Sequence, residues 1–148
     1  MPETKPRLDL DNFLCFALHS TAQAAVRANK PALDELGLTY PQYLVMVVLW
    51  AEDGQTVGGI GDKLFLDSST LTPLLKRLEA AGLVRRARCP EDERQVRVSL
   101  TDRGRALQEV ACKHDGAWLA GAFDDPEQAK ALQASIVALR ERLLAGQG

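Results

Sequence analysis

A well-capped helix followed at once by two short strands is the feature that most constrains the fold of this chain. Asp67 or Ser68 can cap a helix that runs from Ser69 to Ala81 and ends at Gly82. Residues 83–88 and 95–100 are predicted as strands, because apolar and polar side chains alternate in the second of them. The polar link over 89–94 contains a proline and predicts the tip of a hairpin.

Helices are predicted on both sides of this unit. Their apolar residues recur at spacings of three and four, and proline and glycine mark their ends. The helix that ends near Ala51 is apolar nearly all round, so we expect it at the centre of the core. The predicted helices are 9–28 with a short continuation at 32–36, then 39–51, 56–64, 69–81, 101–120, and a last helix capped by Asp124 or Asp125. The expected fold class is mainly α with a small β-hairpin.

The short helix over 56–64, the turn and the helix that follows have helix-turn-helix order, in which the second helix enters the DNA major groove. The hairpin directly after it would form a wing, and Arg94 at its tip could enter the minor groove. An alternative is that the hydroxyl residues at the start of the second helix only cap it. The candidate DNA contacts on that helix are Ser68, Ser69, Thr70, Thr72, Pro73, Lys76 and Arg77.

The charge of the chain is distributed in favour of this interpretation. Residues 63–105 hold 10 basic and 6 acidic side chains, whereas the whole chain has a net charge of −2. An acidic protein can bind DNA when its positive charge is concentrated on one face. An excess of this size is also found on ordinary solvated surfaces, so charge alone does not decide the function.

Length and composition set the remaining limits. The 148 residues fit one domain, and no apolar run approaches the ~20 residues of a membrane span. The polar N-terminus lacks the apolar region of a secretory signal, so we expect a cytoplasmic protein. Three cysteines and two histidines form neither a CxxC pair nor a zinc spacing, and we therefore expect no metal and no cofactor.

The segment DSSTLTPLLKRLEAAGLVRRARCPEDERQVRVSLTDRGR over 67–105 resembles the recognition helix and wing of the MarR family. Asp92-Glu93-Arg94 matches the family's Asp-x-Arg wing, and a Leu-Thr-x-x-Gly turn follows at 100–104. The resemblance implies a single MarR-type domain over 1–148, with 40–100 as the DNA-binding part and 1–36 and 101–148 as dimerisation helices. It also implies a homodimer, usually a repressor, on a near-palindromic DNA operator. There Asp92 would support the wing and Arg94 would reach DNA.

The segments LDNFLCFALHS and LDELGLTYPQY are similar to the organic-hydroperoxide-sensing branch of that family. In that branch the cysteine at the position of Cys15 reacts with peroxide, and two tyrosines of the partner subunit help to hold its thiolate. Tyr40 matches one of these tyrosines, but Asn29 stands at the position of the other. Asn29 could donate a hydrogen bond, but it lacks an aromatic wall. Cys112, in the fifth predicted helix, is the candidate resolving thiol.

Several alternatives stay open. Cys15 could be a small buried hydrophobe, the commoner place of a free cysteine. For His19, four residues further along the helix, we favour structural packing, and Cys89 reads as an incidental surface or strand residue. The chain could instead be a MarR-type regulator released by a small aromatic ligand, an anion bound in a pocket between the dimer helices and the DNA-reading part. A thiol-peroxidase-like enzyme is less favoured, because no third group that would orient a Cys-His pair is evident.

Overall fold

The computed structural model describes residues 8–147 of the chain, so the ends of the expected dimerisation regions, residues 1–7 and residue 148, lie outside it. It contains seven α-helices and three strands within that range. They are α1 (Leu14–Ala28), α2 (Lys30–Leu36), α3 (Tyr40–Ala51), β1 (Gln55–Thr56), α4 (Val57–Leu64), α5 (Ser68–Ala80), β2 (Val84–Cys89), β3 (Asp92–Leu100), α6 (Asp102–Lys113) and α7 (Pro126–Ala145). The described residues divide into two compact units, 8–115 and 116–147.

The core of the first unit forms where α3, α4 and α5 pack together and against the sheet. Helix α3 supplies Val45, Met46 and Leu49, all fully buried, which confirms its predicted central place. A capping box fixes its start, since Thr39 and Gln42 exchange hydrogen bonds between side chain and backbone. The other fully buried hydrophobic residues of α4, α5 and β3 are Ile60, Leu71, Leu75, Leu78 and Val98.

The sheet has three antiparallel strands in the order β1-β3-β2. The sequence predicted only the hairpin, because β1 consists of two residues and is too short to show alternation. β1 pairs with β3 through Gln55 opposite Val98 and Thr56 opposite Arg97. The hairpin is therefore joined by its inner strand to the segment that begins α4.

The predicted hairpin link over 89–94 is wrong, because the two strands extend to Cys89 and from Asp92, leaving only Pro90 and Glu91 in the turn. The register shifts between Arg88, which pairs with Val96, and Cys89, which pairs with Asp92. This irregularity is a bulge in β3, and it holds Arg94 within the strand rather than at the tip of the turn.

Two helix boundaries also differ from the prediction. The first helix is preceded by a separate 3-10 turn over Leu10–Asn12, because Asp9 caps that turn and Phe13 is extended. Helix α6 ends at Lys113 instead of near Ala120, and Gly116 then adopts a left-handed conformation with φ 73°. A glycine reaches that conformation without strain, and the helical spacing of the apolar residues did not reveal the break.

The second unit holds a 3-10 turn, Ala117–Leu119, and the long helix α7. Asp125 caps α7 by accepting a hydrogen bond from the backbone N–H of Glu127. None of its described residues is buried, and an apolar groove runs along it beside Trp118, Leu132 and Ile136. No helix within residues 8–147 is long and apolar enough to cross a membrane.

Candidate DNA interface and cysteine site

Helix α5, which we call the recognition helix, is fixed at its first turn by Asp67. The Asp67 carboxylate accepts hydrogen bonds from the Ser69 hydroxyl at 2.7 Å and the Thr70 backbone N–H at 2.8 Å. These two bonds hold the pKa of Asp67 below its ordinary value. The negative charge of the cap also complements the partial positive charge of the helix N-terminus.

The recognition helix buries one face and exposes the other. Leu71, Leu75 and Leu78 are fully buried, so they hold the helix on the core. Thr72 is half-buried and its hydroxyl donates to the Ser68 carbonyl at 2.7 Å. The remaining candidate DNA contacts on this helix are all exposed, namely Ser68, Ser69, Thr70, Pro73, Lys76 and Arg77.

The wing presents Arg94 from the bulge in β3. Asp92 accepts a hydrogen bond from the Arg94 backbone N–H at 3.1 Å, and its carboxylate lies 3.6 Å from the Arg94 guanidinium. The Arg88 guanidinium stabilises the same bulge by donating a hydrogen bond to the Glu93 carbonyl at 3.1 Å. The Arg94 side chain is nevertheless 95% exposed. Its backbone is held while its guanidinium extends into solvent.

An ion pair that the sequence did not predict joins the recognition helix to the wing. Glu79 of α5 accepts the backbone N–H of Arg86 at 2.9 Å and the Arg86 guanidinium at 3.0 and 3.3 Å. These contacts hold the pKa of Glu79 below its ordinary value, the backbone bond contributing most. Glu79 and Arg86 belong to different elements on either side of the turn at Gly82, so the periodicity of neither element relates them and the sequence gave no signal.

Cys15 is exposed at the second position of α1. Its neighbours Phe13, Leu14 and Phe16 are exposed as well, so the thiol lies on an apolar surface of the chain. The alternative of a cysteine buried within its own chain is therefore not observed. His19 is exposed on the same helix, and the packing role favoured for it is not seen within residues 8–147.

Asn29 and Tyr40 lie in other elements than Cys15. Asn29 is the half-buried residue between α1 and α2, and its side-chain amide donates to the Ala25 carbonyl at 2.9 Å. Tyr40 begins α3, with its ring 6.4 Å from that of Tyr43. Within the described part of one chain, neither residue hydrogen-bonds to the Cys15 thiol.

Cys112 is exposed one residue before the end of α6 and borders a groove of about 280 Å³. This groove, which we call the α3–α6 groove, is lined by Tyr43, Val47, Trp50, Cys112 and their neighbours. Burial raises the pKa of the Tyr43 hydroxyl, and the nearby carboxylate of Asp115 adds to the effect. Because α6 is shorter than predicted, Cys112 lies beside a chain turn instead of inside a long helix.

The third cysteine, Cys89, is buried at the end of β2, so it is a strand residue and not a surface one. Within residues 8–147, no group of three His, Cys, Asp or Glu side chains could hold a metal ion.

Comparison with known proteins agrees with this geometry. The family model described as transcriptional regulator SarA/Rot matches residues 27–110. The chain is 50% identical over 141 residues to the HTH-type transcriptional regulator TtmR of Methylorubrum extorquens, covering 94% of this chain and 71% of that protein. It is 43% identical over 136 residues to the organic hydroperoxide resistance transcriptional regulator of Bacillus subtilis, covering 92% of each.

A similar fold is found in the structure of reduced AbfR bound to DNA, with a TM-score of 0.80 and 36% identity over 91% of this chain and 94% of that one. The exposed recognition helix, the wing and these matches lead to one assignment. The chain belongs to the SarA/Rot family of transcriptional regulators, with a MarR-like winged-helix fold, and it is a DNA-binding regulator of transcription.

Proposed function

We propose that this protein is a repressor that leaves its operator when an organic hydroperoxide oxidises Cys15. The observation that carries the proposal is the exposed Cys15 thiol among exposed apolar side chains, in a chain closely similar to a regulator of organic hydroperoxide resistance. An apolar surface around the thiol favours a hydroperoxide with an organic group over hydrogen peroxide. A repressor of this kind would act on DNA in the cytoplasm.

The proposed complex has two subunits on a near-palindromic duplex. Each recognition helix enters the major groove with the exposed side chains of its first turns, and Arg94 enters the adjacent minor groove. Two-fold symmetry places the recognition helices one DNA turn apart, roughly 34–36 Å. Asp92 supports the wing by holding the backbone at Arg94.

Exposed apolar side chains support the proposed homodimer. Leu14 and Phe16 of α1 are exposed, and Leu132, Ile136 and Leu143 are exposed on α7. A second copy that covered these side chains would remove apolar surface from water, which favours association. The same association would bring Asn29 and Tyr40 of one subunit towards Cys15 of the other, as the family resemblance implies.

Oxidation would proceed in two balanced steps. The Cys15 thiolate attacks one peroxide oxygen, so that an S–O bond forms, the O–O bond breaks, and the alcohol leaves after taking up a proton. Cys15 is then a sulfenic acid, oxidised by two electrons. The thiolate of Cys112 attacks this sulfur, forming an S–S bond and releasing hydroxide, which becomes water on protonation. A small cellular thiol could take the place of Cys112.

This oxidation would weaken DNA binding by changing the positions of the two recognition helices. A bond between Cys15 and Cys112, or a group added to Cys15, changes the packing around α1 and α6. Two recognition helices that shift by a few ångströms no longer fit both half-sites together. Each molecule is oxidised once, so the protein acts as a switch rather than as a peroxidase.

The test is mass spectrometry of the purified protein after treatment with cumene hydroperoxide, with DNA binding followed in parallel by gel shift. We expect modification of Cys15 and loss of binding in the wild type, while Cys15→Ser binds DNA and resists the oxidant. Cys112→Ser is the matched control for the second step, since it should still lose DNA affinity but form no disulfide. Release of Cys15→Ser by cumene hydroperoxide would contradict the proposal.

The α3–α6 groove favours a second candidate, release by a small aromatic ligand. Tyr43 and Trp50 give the groove aromatic walls, whereas Asp115 places a carboxylate beside it. That carboxylate favours a neutral or phenolic ligand over an anion. Release of the reduced Cys15→Ser protein from DNA by phenol, without oxidant, would support this candidate over the first.

A further inference from the structure

A second groove lies between the recognition helix and the wing. Its volume is about 360 Å³, and we call it the wing groove, lined by Gly58, Ser68, Thr72, Arg86, Arg94 and their neighbours. Its lining residues include two arginines and three residues with hydroxyl groups, and none of the described residues that line it is acidic. The lining therefore favours an anion.

Glu79 fixes the direction of the Arg86 guanidinium. Nε and Nη2 of Arg86 both donate to one Glu79 oxygen, which leaves Nη1 outside these bonds. The Arg86 side chain is 24% exposed and lines the wing groove, while Glu79 is not among the residues that line it. An arginine held in this way is already oriented, so it loses little side-chain entropy when it binds a ligand.

Gly58 is the second unusual feature of the wing groove. It lies at the second position of α4, and a Cβ added there would meet no described atom within 4 Å apart from its chain neighbours and the backbone of its own helix. Glycine in a helix is less stable than alanine by ~0.5–1 kcal/mol. Packing within the chain does not require this glycine, and the missing side chain leaves room on the groove wall for a molecule from outside.

We propose that the wing groove receives a phosphodiester of the DNA backbone, with Arg86 as a phosphate ligand and Gly58 providing the space. The inference rests on the proposed DNA binding. A recognition helix in the major groove and a wing in the adjacent minor groove are separated by the one sugar–phosphate strand that divides these grooves. That strand passes over the surface between the two elements, and this surface is the wing groove.

Salt dependence of DNA binding separates this role from a structural one. The protein is titrated into a fluorescent duplex of about 30 base pairs, obtained by selection from random DNA with the wild type and long enough for two half-sites. Affinity is measured over a series of KCl concentrations. Each phosphate contact makes the slope of log K against log salt steeper by about 0.9. Arg86→Met should therefore make the slope less steep by about 0.9 for each bound subunit. Affinity should fall roughly 10-fold, as expected for loss of a charged hydrogen bond.

Two further variants make the result decisive. Arg85→Met removes the same charge from the neighbouring residue, which does not line the wing groove, and its slope should stay close to that of the wild type. Gly58→Ala should fold with equal or higher thermal stability, yet bind the duplex at least about threefold more weakly on matched and unmatched sequences alike.

The inference is wrong if Arg86→Met and Gly58→Ala keep the wild-type slope and affinity while Arg94→Ala loses affinity. An Arg86→Met protein that is only less stable, with an unchanged slope, would leave Arg86 a structural residue and overturn the phosphate assignment. Failure of the wild type to select or bind any duplex would instead overturn the proposed DNA binding itself.

Discussion

Gly104 is a position where adding a single methyl group should destabilise the fold, because the added carbon would collide with backbone. A Cβ built on Gly104 would lie 2.1 Å from the Leu83 carbonyl oxygen and 3.3 Å from Leu100, whereas ordinary contact begins at 3.4 Å. The obstacle is backbone, so no side chain can turn away to relieve it. Helix α6 would have to move away from the loop at Leu83 by about one ångström.

That movement would disturb two hydrogen bonds at the start of α6. The Gly104 carbonyl accepts the indole N–H of Trp50 at 2.9 Å, and the Gly104 N–H donates to Thr101 at 3.1 Å. Overpacking against backbone destabilises a protein by about 1–3 kcal/mol, and loss of a hydrogen bond destabilises it by about 1 kcal/mol. Alanine is more favourable than glycine inside a helix by up to about 1 kcal/mol, which offsets part of this loss. We expect Gly104→Ala to lower the free energy of unfolding by about 2–3 kcal/mol.

Urea denaturation followed by circular dichroism measures this loss, at one fixed protein concentration because association also stabilises the fold. Gly58→Ala is the matched control, since it has the same gain in helix propensity without the clash. The two alanine variants should differ by about 3 kcal/mol. A Gly104→Ala protein within about 0.5 kcal/mol of the wild type would refute the packing argument.

Three other predictions concern the reading unit and its support. Leu75→Ala should cost about 2–5 kcal/mol in the free energy of unfolding, because Leu75 is fully buried beneath the recognition helix; a smaller loss would mean that the core closes around the cavity. Arg94→Ala should weaken operator binding roughly 10-fold in a gel shift, with dimerisation unchanged by size-exclusion chromatography. Asp53→Asn should destabilise the protein at neutral pH and have little effect in acid. Burial opposes ionisation of Asp53, but the N–H groups of Leu100 and Gly54 and the Arg105 guanidinium outweigh it and lower its pKa. The stabilisation from a lowered pKa is present above the ordinary pKa of Asp and is lost as the pH falls through the folded value, so the two unfolding curves should converge below about pH 4. A constant gap across pH would exclude this role for Asp53.

Local signals in the sequence determined most of the helix boundaries. Thr39 and Asp67 are caps whose side chains satisfy free backbone N–H groups within three residues, and Gly37 and Gly82 end their helices in left-handed conformations. Such signals act over a few residues, so they can be read without knowing the fold. The apolar pattern of the recognition helix likewise showed which of its faces is buried and which is exposed.

Tertiary structure alone decided the features that join distant segments. Strand β1 exists because Gln55 and Thr56 meet β3 more than forty residues later. The Glu79–Arg86 ion pair forms only because the turn at Gly82 folds the wing back against the recognition helix. The position of Arg94 in a bulge depends on the register between β2 and β3, which the residues of one strand do not specify. Pairings of this kind depend on contacts across the fold, whereas caps and helical spacing depend on neighbours in the chain.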